Sequence, residues 1–560
     1  MCYNILYRYY GRIYNIYINK HIIHIYIYIL YQYMMEETND NNNNNHYDVI
    51  VLGAGISGID AVYYLQKYCP WAKILVLERR ENIGGTWDFF KYPGIRSDSD
   101  MYTFGFSWKL WKADNPIATA GQILKYLNEA VNEQHIREKI KFNTNVEQAS
   151  FSSANAIWTL KTNNNNNNNN VTYTCNMLFG CTGYYSYENP NKPTFPNENM
   201  FKGSIVHPSN WTNADDQSII NKNVAIIGSG ATAVTMLPNI AKTSKHVTMV
   251  QRSPTYMVAR TNSGEESFAS KWLPESLALT FNRWSAVFGT WLIFESSMRY
   301  PNSVRNFLEK GMWKEVKDVM SKDEFKKHFH PKYDPWEQRV CLTPDGDFFR
   351  AIREKKASIV TDHIEAFTET GIQMKDGTHV DCDVIVTATG INFQQNYPFS
   401  TIDVTIDGEP YIAKDRFMYK GVMISDVPNF IFTMGYANAS WTLKADITSS
   451  FACNILNHMR KNDFAICNPH AHDIQPTDDH VFGLKSGYVQ RSQDSMPKQG
   501  NKDPWINYQN YIVDSITLML KGIEDEDNLE FLRRDNKMNT FTKWGSVTNG
   551  SSSNVLTSRL

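Results

Sequence analysis

The stretch from residue 47 to residue 78 constrains the fold of this chain more than any other feature. An apolar run, residues 47–52 (YDVIVL), is followed at once by the sequence GAGISG at residues 53–58. Apolar residues then recur at helical spacing, and a second apolar run, residues 73–77, closes on Glu78. This order predicts a strand, a glycine turn, a helix and a second strand.

The residues of this turn have the properties that binding a dinucleotide requires. Gly53 allows the tight turn, Gly55 lets the backbone approach a pyrophosphate, and Gly58 lets the helix pack close to the strand. The helix begins near Ser57, and its amino terminus faces the phosphates. Glu78 comes 20 residues after Gly58, where a carboxylate can hold ribose hydroxyls. The stretch therefore predicts a dinucleotide site.

A second unit of the same kind begins at residues 223–227 (NVAII). Its turn is Gly228-Ser229-Gly230-Ala231-Thr232-Ala233, followed by Val234, and the alanine in place of a third glycine still permits close helix packing. The next predicted strand, residues 247–251, ends in Arg252 and Ser253 where the first unit has its acid. An arginine there suits a 2′-phosphate, so this unit predicts NADPH, with a plain surface arginine as the alternative.

Composition limits the class of protein. At 560 residues the chain exceeds one hydrophobic core, which predicts two domains or three. A net charge of −2 gives no reason to expect nucleic acid as a partner. The eight cysteines include no CxxC pair, which argues for a reducing compartment and against a zinc site, so no metal is expected.

Residues 84–98 (GGTWDFFKYPGIRSD) resemble the flavin-side fingerprint of type I Baeyer–Villiger monooxygenases. In that family the segment lies along the ribityl chain and the isoalloxazine ring of FAD. The resemblance implies FAD contacts for the following residues: Gly85, Thr86, Trp87, Asp88, Phe89, Arg96, Ser97 and Asp98. It also implies that the backbone near Val146 meets the adenine of FAD, with an ordinary strand residue as the alternative.

Three further segments carry the resemblance. Residues 201–211 match FxGxxxHxxxW, a second fingerprint of the family, and are expected to link the two domains, with His207 assigned to conformational coupling. The last position, Trp211, favours the Baeyer–Villiger branch over related monooxygenases that oxidise sulfur and nitrogen. Residues 333–339 (YDPWEQR) and 486–505 resemble the ethionamide-oxidising branch, and Arg339 falls where the family keeps its active-site arginine.

These observations predict an α/β fold with two Rossmann-like dinucleotide-binding domains, the NADP domain being inserted in the FAD domain. The expected FAD domain comprises residues 46–205 and 391–535, and the expected NADP domain comprises residues 206–390 with a helical insert at 262–332. The most apolar part of the insert is residues 284–294 (WSAVFGTWLIF). Such a run commonly forms the core of a helical insert, and it could also line a substrate tunnel or rest on a membrane surface.

The function that the resemblance implies is that of an FAD-dependent, NADPH-consuming monooxygenase. A flavin C4a-peroxide would transfer one oxygen atom of O2 to a small organic substrate, in the Baeyer–Villiger oxidation of ketones or in sulfoxidation. Arg339 and Asp98 are the expected catalytic pair, because a fixed guanidinium stabilises negative charge on oxygen and a carboxylate orients it. Two alternatives stay open: a monooxygenase acting only on sulfur and nitrogen, and a non-catalytic FAD- and NADPH-binding redox protein.

The two ends of the chain and one internal tract are expected to lie outside the domains. Residues 1–45 are interpreted as a mis-annotated or disordered extension, and a membrane anchor is the rival interpretation, although a span needs about 20 apolar residues. Residues 163–170, all asparagine, predict an expanded hairpin tip, and residues 536–560 predict a flexible tail. The tail ends in Ser558-Arg559-Leu560, close to the peroxisomal address S-K-L, so cytoplasm and peroxisome are both predicted locations. An integral membrane span is not expected, and peripheral membrane contact stays open.

Overall fold

The computed structural model describes residues 45–113, 115–164, 170–262, 268–477, 481–483, 486–521, 523, 525–535 and 540–543. The predictions for residues 1–44, for the middle of the asparagine tract and for the C-terminal tripeptide lie outside the described residues.

The first part of the fold alternates strands with helices and then forms an antiparallel meander. Its elements are β1 (His46–Leu52), α1 (Ile56–Tyr68), β2 (Ile74–Leu77), α2 (Thr86–Phe89), α3 (Met101–Phe104), α4 (Ala120–Glu133), β3 (Ile140–Lys141), β4 (Thr144–Ser152), β5 (Ile157–Asn164) and β6 (Asn170–Gly180). The predicted hairpin around the asparagine tract is confirmed, because β5 and β6 pair antiparallel up to Asn163 and Asn170.

The second part repeats the strand–helix alternation and contains the helical insert. Its elements are β7 (Ser204–Val206), α5 (Asn213–Ser218), β8 (Asn223–Ile227), α6 (Ala231–Ile240), β9 (His246–Gln251), β10 (Met257–Arg260), α7 (Phe268–Trp272), α8 (Glu275–Arg299), α9 (Pro301–Val316), α10 (Lys322–Phe329), β11 (Cys341–Pro344), α11 (Asp347–Arg353), β12 (Ala357–Thr361), β13 (Ile364–Phe367), β14 (Gly371–Met374), β15 (His379–Asp381) and β16 (Val384–Thr387). Helices α7 to α10 fall within the predicted insert.

The third part returns to the first sheet. Its elements are β17 (Asp403–Ile406), β18 (Glu409–Pro410), β19 (Met418–Tyr419), β20 (Met423–Ile424), β21 (Phe430–Phe432), α12 (Trp441–Asn462), β22 (Phe464–Pro469), α13 (Gly487–Gln490), α14 (Tyr511–Ser515), β23 (Leu529–Asp535) and β24 (Thr540–Lys543).

Two larger sheets organise the described residues. The first has the order β18-β17-β4-β5-β6-β1-β2-β3, with β21 also paired to β6, so strands from before and after the second part share one sheet. The second is the five-stranded parallel sheet β12-β9-β8-β16-β7. This topology confirms the predicted α/β class, in which one Rossmann-like domain is inserted in another.

The boundary between the two domains needs one adjustment. β7 pairs with β16 in the second sheet, so this sheet takes in residues 204 and 205, before the boundary predicted at residue 206. The segment 201–211 is therefore not only a connection between the domains. Its strand, β7, forms one edge of the second sheet. The last residue of the segment, Trp211, is buried among the core side chains of that domain.

The apolar run at residues 284–294 is not the core of the insert. It lies within α8, where Trp284, Phe288, Leu292 and Ile293 are each about half exposed. The buried side chains of α8 are few, namely Ala278, Arg283, Val287 and Ser297. Sequence periodicity could not show this, because a nearly uniform apolar run has no polar face to mark the exposed side.

Within the described part of the chain, no helix combines the length and the apolarity that crossing a bilayer requires. The described residues also bring together no group of three His, Cys, Asp or Glu side chains suited to a metal ion.

Candidate functional site

A cleft of about 320 Å³ lies where the two larger sheets meet. It is lined by both glycine turns, by the loop that follows Gly84 and by Arg339. Most of the residues predicted from the sequence line this one cleft: Gly53, Gly55, Ser57, Glu78, Gly85, Thr86, Trp87, Arg96, Ser97, Asp98, Val146, Ala231, Thr232 and Arg339. The structure thus brings together two turns that are 175 residues apart in sequence.

The first glycine turn follows β1 at its carboxyl end. Gly53 has a φ of +100°, and an added Cβ would lie 2.7 Å from the carbonyl oxygen of Cys181. A Cβ on Gly58 would lie 2.0 Å from the carbonyl oxygen of Gly53, so Gly58 allows α1 to pack directly against the turn. Gly58 does not line the cleft, which fits the packing role predicted for it.

The amino terminus of α1 is open towards the cleft. Its N-cap is Gly55, and no side chain caps it. The side chain of Ser57 is engaged elsewhere, because Nε1 of Trp441 donates a hydrogen bond to its Oγ at 2.7 Å. The backbone N–H groups of the first turn are therefore the donors that an anion in the cleft would meet.

Glu78 lies at the end of β2 and is buried. Its Oε2 accepts a hydrogen bond from the backbone N–H of Ala54 at 2.7 Å, and its Oε1 accepts one from the N–H of Arg80 at 2.9 Å. Burial raises the pKa of Glu78, and these two hydrogen bonds oppose the increase. Because each carboxylate oxygen can accept two hydrogen bonds, Glu78 can brace the turn and still accept ribose hydroxyls.

Residues 84–98, which we call the flavin-side loop, form the opposite wall of the cleft. A Cβ on Gly85 would lie 3.3 Å from Cα of Gly55. Thr86 shares a hydrogen bond with the hydroxyl of Tyr187 at 3.3 Å. Two other predicted residues do not line the cleft. Asp88 forms an ion pair with Arg80 at 2.6 Å, and Phe89 stacks on Tyr187 with ring centroids 4.0 Å apart. Their arrangement supports the loop from behind.

Two arginines of the site are held by carboxylates across the domain boundary. Arg96, on the flavin-side loop, donates from Nη1 to Oδ2 of Asp347 at 2.5 Å, and Asp347 begins α11 in the second domain. Arg339 donates from Nη1 to Oδ2 of Asp98 at 2.5 Å and from Nη2 to the carbonyl oxygen of Tyr436 at 3.4 Å. The Arg339 and Asp98 side chains remain about one third exposed, so a molecule in the cleft can reach them.

The second glycine turn reaches the cleft through Ala231 and Thr232. Gly228 has a φ of +133°, and a Cβ there would lie 2.2 Å from the carbonyl oxygen of Ala388. A Cβ on Gly230 would meet no atom within 4 Å, and Gly230 is the N-cap of α6 without a capping side chain. This open backbone is the feature that a bound pyrophosphate requires.

The other residues predicted for the second nucleotide lie around this turn. Ser229 donates from Oγ to the carbonyl oxygen of Ser253 at 2.9 Å. Ala233 and Val234 are buried in the core of the second domain, so only their backbone could meet a ligand. Arg252 is exposed, and no ion pair of the described residues engages it.

The flavin-side loop also touches the second turn. The side chains of Tyr92 and Thr232 are hydrogen-bonded, and burial raises the pKa of Tyr92 to about 12. His207 lines the cleft close by and accepts a hydrogen bond at Nδ1 from the N–H of Ser209 at 3.2 Å. Burial lowers the pKa of His207 to about 4, so its ring is neutral near pH 7. A neutral, buried ring fits the coupling role predicted for His207.

A second and smaller cavity, of about 30 Å³, lies between α8 and the start of α12. Two of its lining side chains have buried N–H donors without partners in the described structure, Nε1 of Trp291 and Nε2 of Gln509. The amide of Gln509 is oriented by the N–H of Ala437, which donates to its Oε1 at 2.8 Å. Buried donors of this kind favour a ligand that carries a hydrogen-bond acceptor.

Sequence reasoning missed several lining residues of the main cleft: Thr182, Tyr184, Tyr185, Tyr187, Gln394 and Trp441. Thr182 follows the carboxyl end of β6, a position where ligands commonly lie in such sheets, so it could have been found. The three tyrosines lie on an irregular loop and share no spacing that points to a site.

Comparisons with known proteins give one consistent result. The family model described as flavin-binding monooxygenase-like matches residues 46–276. The probable FAD-binding monooxygenase AlmA of Acinetobacter sp is 43% identical over 492 residues, which cover 87% of this chain and 96% of that protein. The FAD-containing monooxygenase EthA of Mycobacterium tuberculosis (strain ATCC 25618 / H37Rv) is 41% identical over 493 residues, covering 87% and 98%. Among solved structures, an oxidized steroid monooxygenase bound to NADP superimposes with a TM-score of 0.67 at 20% identity, covering 87% of this chain and all of that one.

Proposed function

This chain belongs to the flavin-binding monooxygenase-like family, and we propose on that premise that it is an FAD-dependent, NADPH-consuming monooxygenase of the Baeyer–Villiger type. The observation that carries the proposal is the ion pair of Arg339 with Asp98 in the same cleft as both glycine turns. With both nucleotides bound, a cleft of this kind would hold a hydride donor and a flavin beside a fixed positive charge.

The residues present fit FAD at the first turn. Gly55 and Gly85 face each other without side chains, the amino terminus of α1 is uncapped, and Glu78 and Val146 line the same cleft. FAD bound there would supply the activation of O2. AlmA is named a probable FAD-binding monooxygenase and EthA an FAD-containing monooxygenase, which supports the same cofactor here.

The proposed reaction converts NADPH, a proton, O2 and a ketone into an ester, water and NADP⁺. One oxygen atom enters the bond between the carbonyl carbon and its neighbour, and the other leaves as water with the two electrons of NADPH. Arg339 would stabilise the negative oxygen that develops during this insertion, because a guanidinium stays charged at every working pH. Asp98 would hold the guanidinium in place through the contact that the structure shows. The substrate would lie beside the smaller cavity, where Trp291 and Gln509 offer N–H donors to an acceptor oxygen.

A monooxygenase that oxidises only sulfur or nitrogen is the second candidate, because the same cofactors serve that reaction. Purified protein should be yellow, should be reduced by NADPH without air, and should then convert a ketone to an ester with O2. The experiment compares a ketone with a thioether and identifies the products by mass spectrometry. Sulfoxide without ester would support the second candidate, and correctly folded protein that stays colourless after addition of FAD would contradict both.

The coenzyme preference should depend on Arg252. Charge-assisted arginine–phosphate hydrogen bonds of this kind contribute ~1.5–3 kcal/mol, so Arg252→Ala should lower the preference for NADPH over NADH by about tenfold or more. The measurement is kcat/KM for flavin reduction with each coenzyme. Arg350→Ala is a suitable control because Arg350 is an exposed arginine on α11 of the same domain. An unchanged preference in Arg252→Ala would remove Arg252 from the NADPH site.

The proposed partners are therefore a small organic substrate, O2 and the two nucleotides, with no role for nucleic acid. The cytoplasmic and peroxisomal locations stay predictions.

A further inference from the structure

Helix α8 carries a continuous apolar stripe on its exposed side. Its five members are spaced by three or four residues, as one face of a helix requires, and each is between 48% and 59% exposed: Leu277, Phe281, Trp284, Phe288 and Leu292. The rings of Trp284 and Phe288 pack against each other with centroids 6.2 Å apart. We call these five side chains the α8 stripe. An exposed apolar surface of this length is typical of a site that contacts another protein or a membrane.

The α8 stripe cannot be buried by rotating the helix. The opposite face of α8 is fixed by Arg283, whose Nη2 donates to Oδ2 of Asp446 at 3.0 Å and whose Nη1 donates to the carbonyl oxygen of Gly105 at 2.6 Å. Val287 is buried on the same inner side. Turning the stripe inwards would expose Val287 and break these hydrogen bonds, so the exposed orientation is part of the fold.

The two neighbouring helices and the junction between α8 and α9 carry further exposed aromatic side chains. Trp272, the last residue of α7, is 76% exposed, and Phe307 of α9 is 74% exposed. Tyr300, which joins α8 to α9, is also exposed. Tryptophan and tyrosine are the side chains enriched where protein meets the headgroup region of a bilayer, since their rings are apolar with one polar end.

The charges around this surface are unbalanced. Of the four acids of the three helices, Glu275 pairs with Lys112 and Glu315 with Arg353. Glu309 contacts His330, which pairs with it as an ion only when protonated, and Glu295 accepts a hydrogen bond from the neutral amide of Asn510. By contrast, four exposed bases form no ion pair within the described part of the chain: Lys271, Arg299, Lys310 and Lys314. Arg299 follows Leu292 by two turns in line with the stripe, and Lys310 and Lys314 share a face of α9 with Phe307.

We propose that the α8 stripe docks this protein peripherally on the surface of an anionic phospholipid bilayer. The helix would lie in the plane of the interface, with its apolar side chains among the acyl chains and the four unpaired bases at the level of the headgroups. Long basic side chains suit this position, because their aliphatic stems can follow the apolar surface while the charge reaches phosphate. The inference does not depend on which substrate the enzyme oxidises.

A second copy of this chain is a less suitable partner. Two copies could pack their stripes against each other about a two-fold axis. If the two α8 helices ran antiparallel, Lys271, just before the start of one α8, would face Arg299 at the end of the other. If they ran parallel, each end would meet its own copy. Positive charge would face positive charge in both arrangements, which opposes association.

The test is sedimentation of the FAD-loaded full chain with lipid vesicles. A large fraction of the protein should sediment with vesicles that contain phosphatidylserine, and a far smaller fraction with vesicles of phosphatidylcholine alone. High salt should release the protein from the anionic vesicles. The double variant Phe281→Ser/Phe288→Ser should bind the anionic vesicles at least ~10-fold more weakly, because two half-exposed aromatic side chains leave the apolar surface. The variant Lys310→Glu/Lys314→Glu should lose the preference for anionic lipid.

The matched control is Ile220→Ser/Ile412→Ser, which removes two exposed apolar side chains elsewhere in the chain. It should bind vesicles as the unchanged protein does. All variants should keep NADPH oxidation and melting temperature, which separates loss of docking from misfolding or loss of catalysis. Equal sedimentation with the stripe variant and the unchanged protein would overturn the proposal. A dimer in light scattering that dissociates in the stripe variant, without vesicle binding, would assign the stripe to a second copy.

Discussion

Replacing Arg339 with alanine should lower product formation by about 10²-fold or more while FAD binding and flavin reduction by NADPH persist. The expectation follows from the position of Arg339, which lines the same cleft as the two glycine turns and has a side chain about one third exposed. The hydrogen bonds of Arg339 to Asp98 and to the carbonyl oxygen of Tyr436 join it to groups outside both glycine turns. If Arg339 acts as proposed, its removal would take away the positive charge that stabilises the transferred oxygen, and NADPH consumption should appear mainly as hydrogen peroxide.

The rival explanation for Arg339 is an ion pair that only joins the domains. It predicts a lower melting temperature and an unchanged ratio of product to NADPH. Arg305→Ala gives the matched comparison, because Arg305 forms an ion pair with Asp334 at 2.5 Å, has a similar exposure and does not line the cleft. If Arg339→Ala, like Arg305→Ala, kept the ratio of product to NADPH of the unchanged protein, Arg339 would not be a catalytic residue. Partial recovery of product in Arg339→Lys would strengthen the charge argument.

The parts of the fold that the sequence could predict are those with local physical signals. A buried parallel strand must be apolar along its whole length, and a turn that approaches a backbone carbonyl must be glycine, so β1, α1 and β2 could be placed from residues 47–78 alone. The same logic placed β8, α6 and β9. It did not predict that both turns would line one cleft, because they follow strands of two different sheets.

Side-chain partners were beyond the sequence because they depend on contacts between distant segments. The resemblance predicted only an FAD contact for Arg96, whereas in the structure Arg96 also forms an ion pair with Asp347 across the domain boundary. Asp88 and Phe89 were assigned to the cofactor by the same resemblance, which stays a prediction, and their side chains also contact Arg80 and Tyr187. No periodicity distinguishes a side chain that faces a ligand from one that faces the next loop.

The ion pair that holds α8 against α12 is another contact that no local sequence pattern predicts. Arg283 of α8 and Asp446 of α12 are both buried and form an ion pair at 3.0 Å, although they lie 163 residues apart. Next to them, Asp60 of α1 is fully buried and accepts hydrogen bonds from Nε1 of Trp108 and from Oγ of Ser449, both at 2.9 Å. Burial raises the pKa of Asp60, and the neighbouring carboxylate of Asp446 raises it further. Burial also raises the pKa of Asp446, while the charge of Arg283 opposes that increase.

Asp446→Ala should therefore destabilise the protein by about 3–5 kcal/mol, because it leaves the Arg283 guanidinium buried without its carboxylate. The double variant Arg283→Leu/Asp446→Leu removes both charges, so we expect it to recover most of that loss, as replacement of a buried ion pair by apolar side chains often does. The measurement is the urea midpoint of all three proteins, together with hydrogen exchange in α8 and α12. In Asp446→Ala the amides of both helices should exchange faster, whereas in the double variant those of α12 should regain protection. Equal destabilisation in the single and double variants would show that packing around Asp446, and not the unpaired charge, sets the stability of this interface. The pair would then no longer explain why α8 keeps its apolar stripe turned outwards.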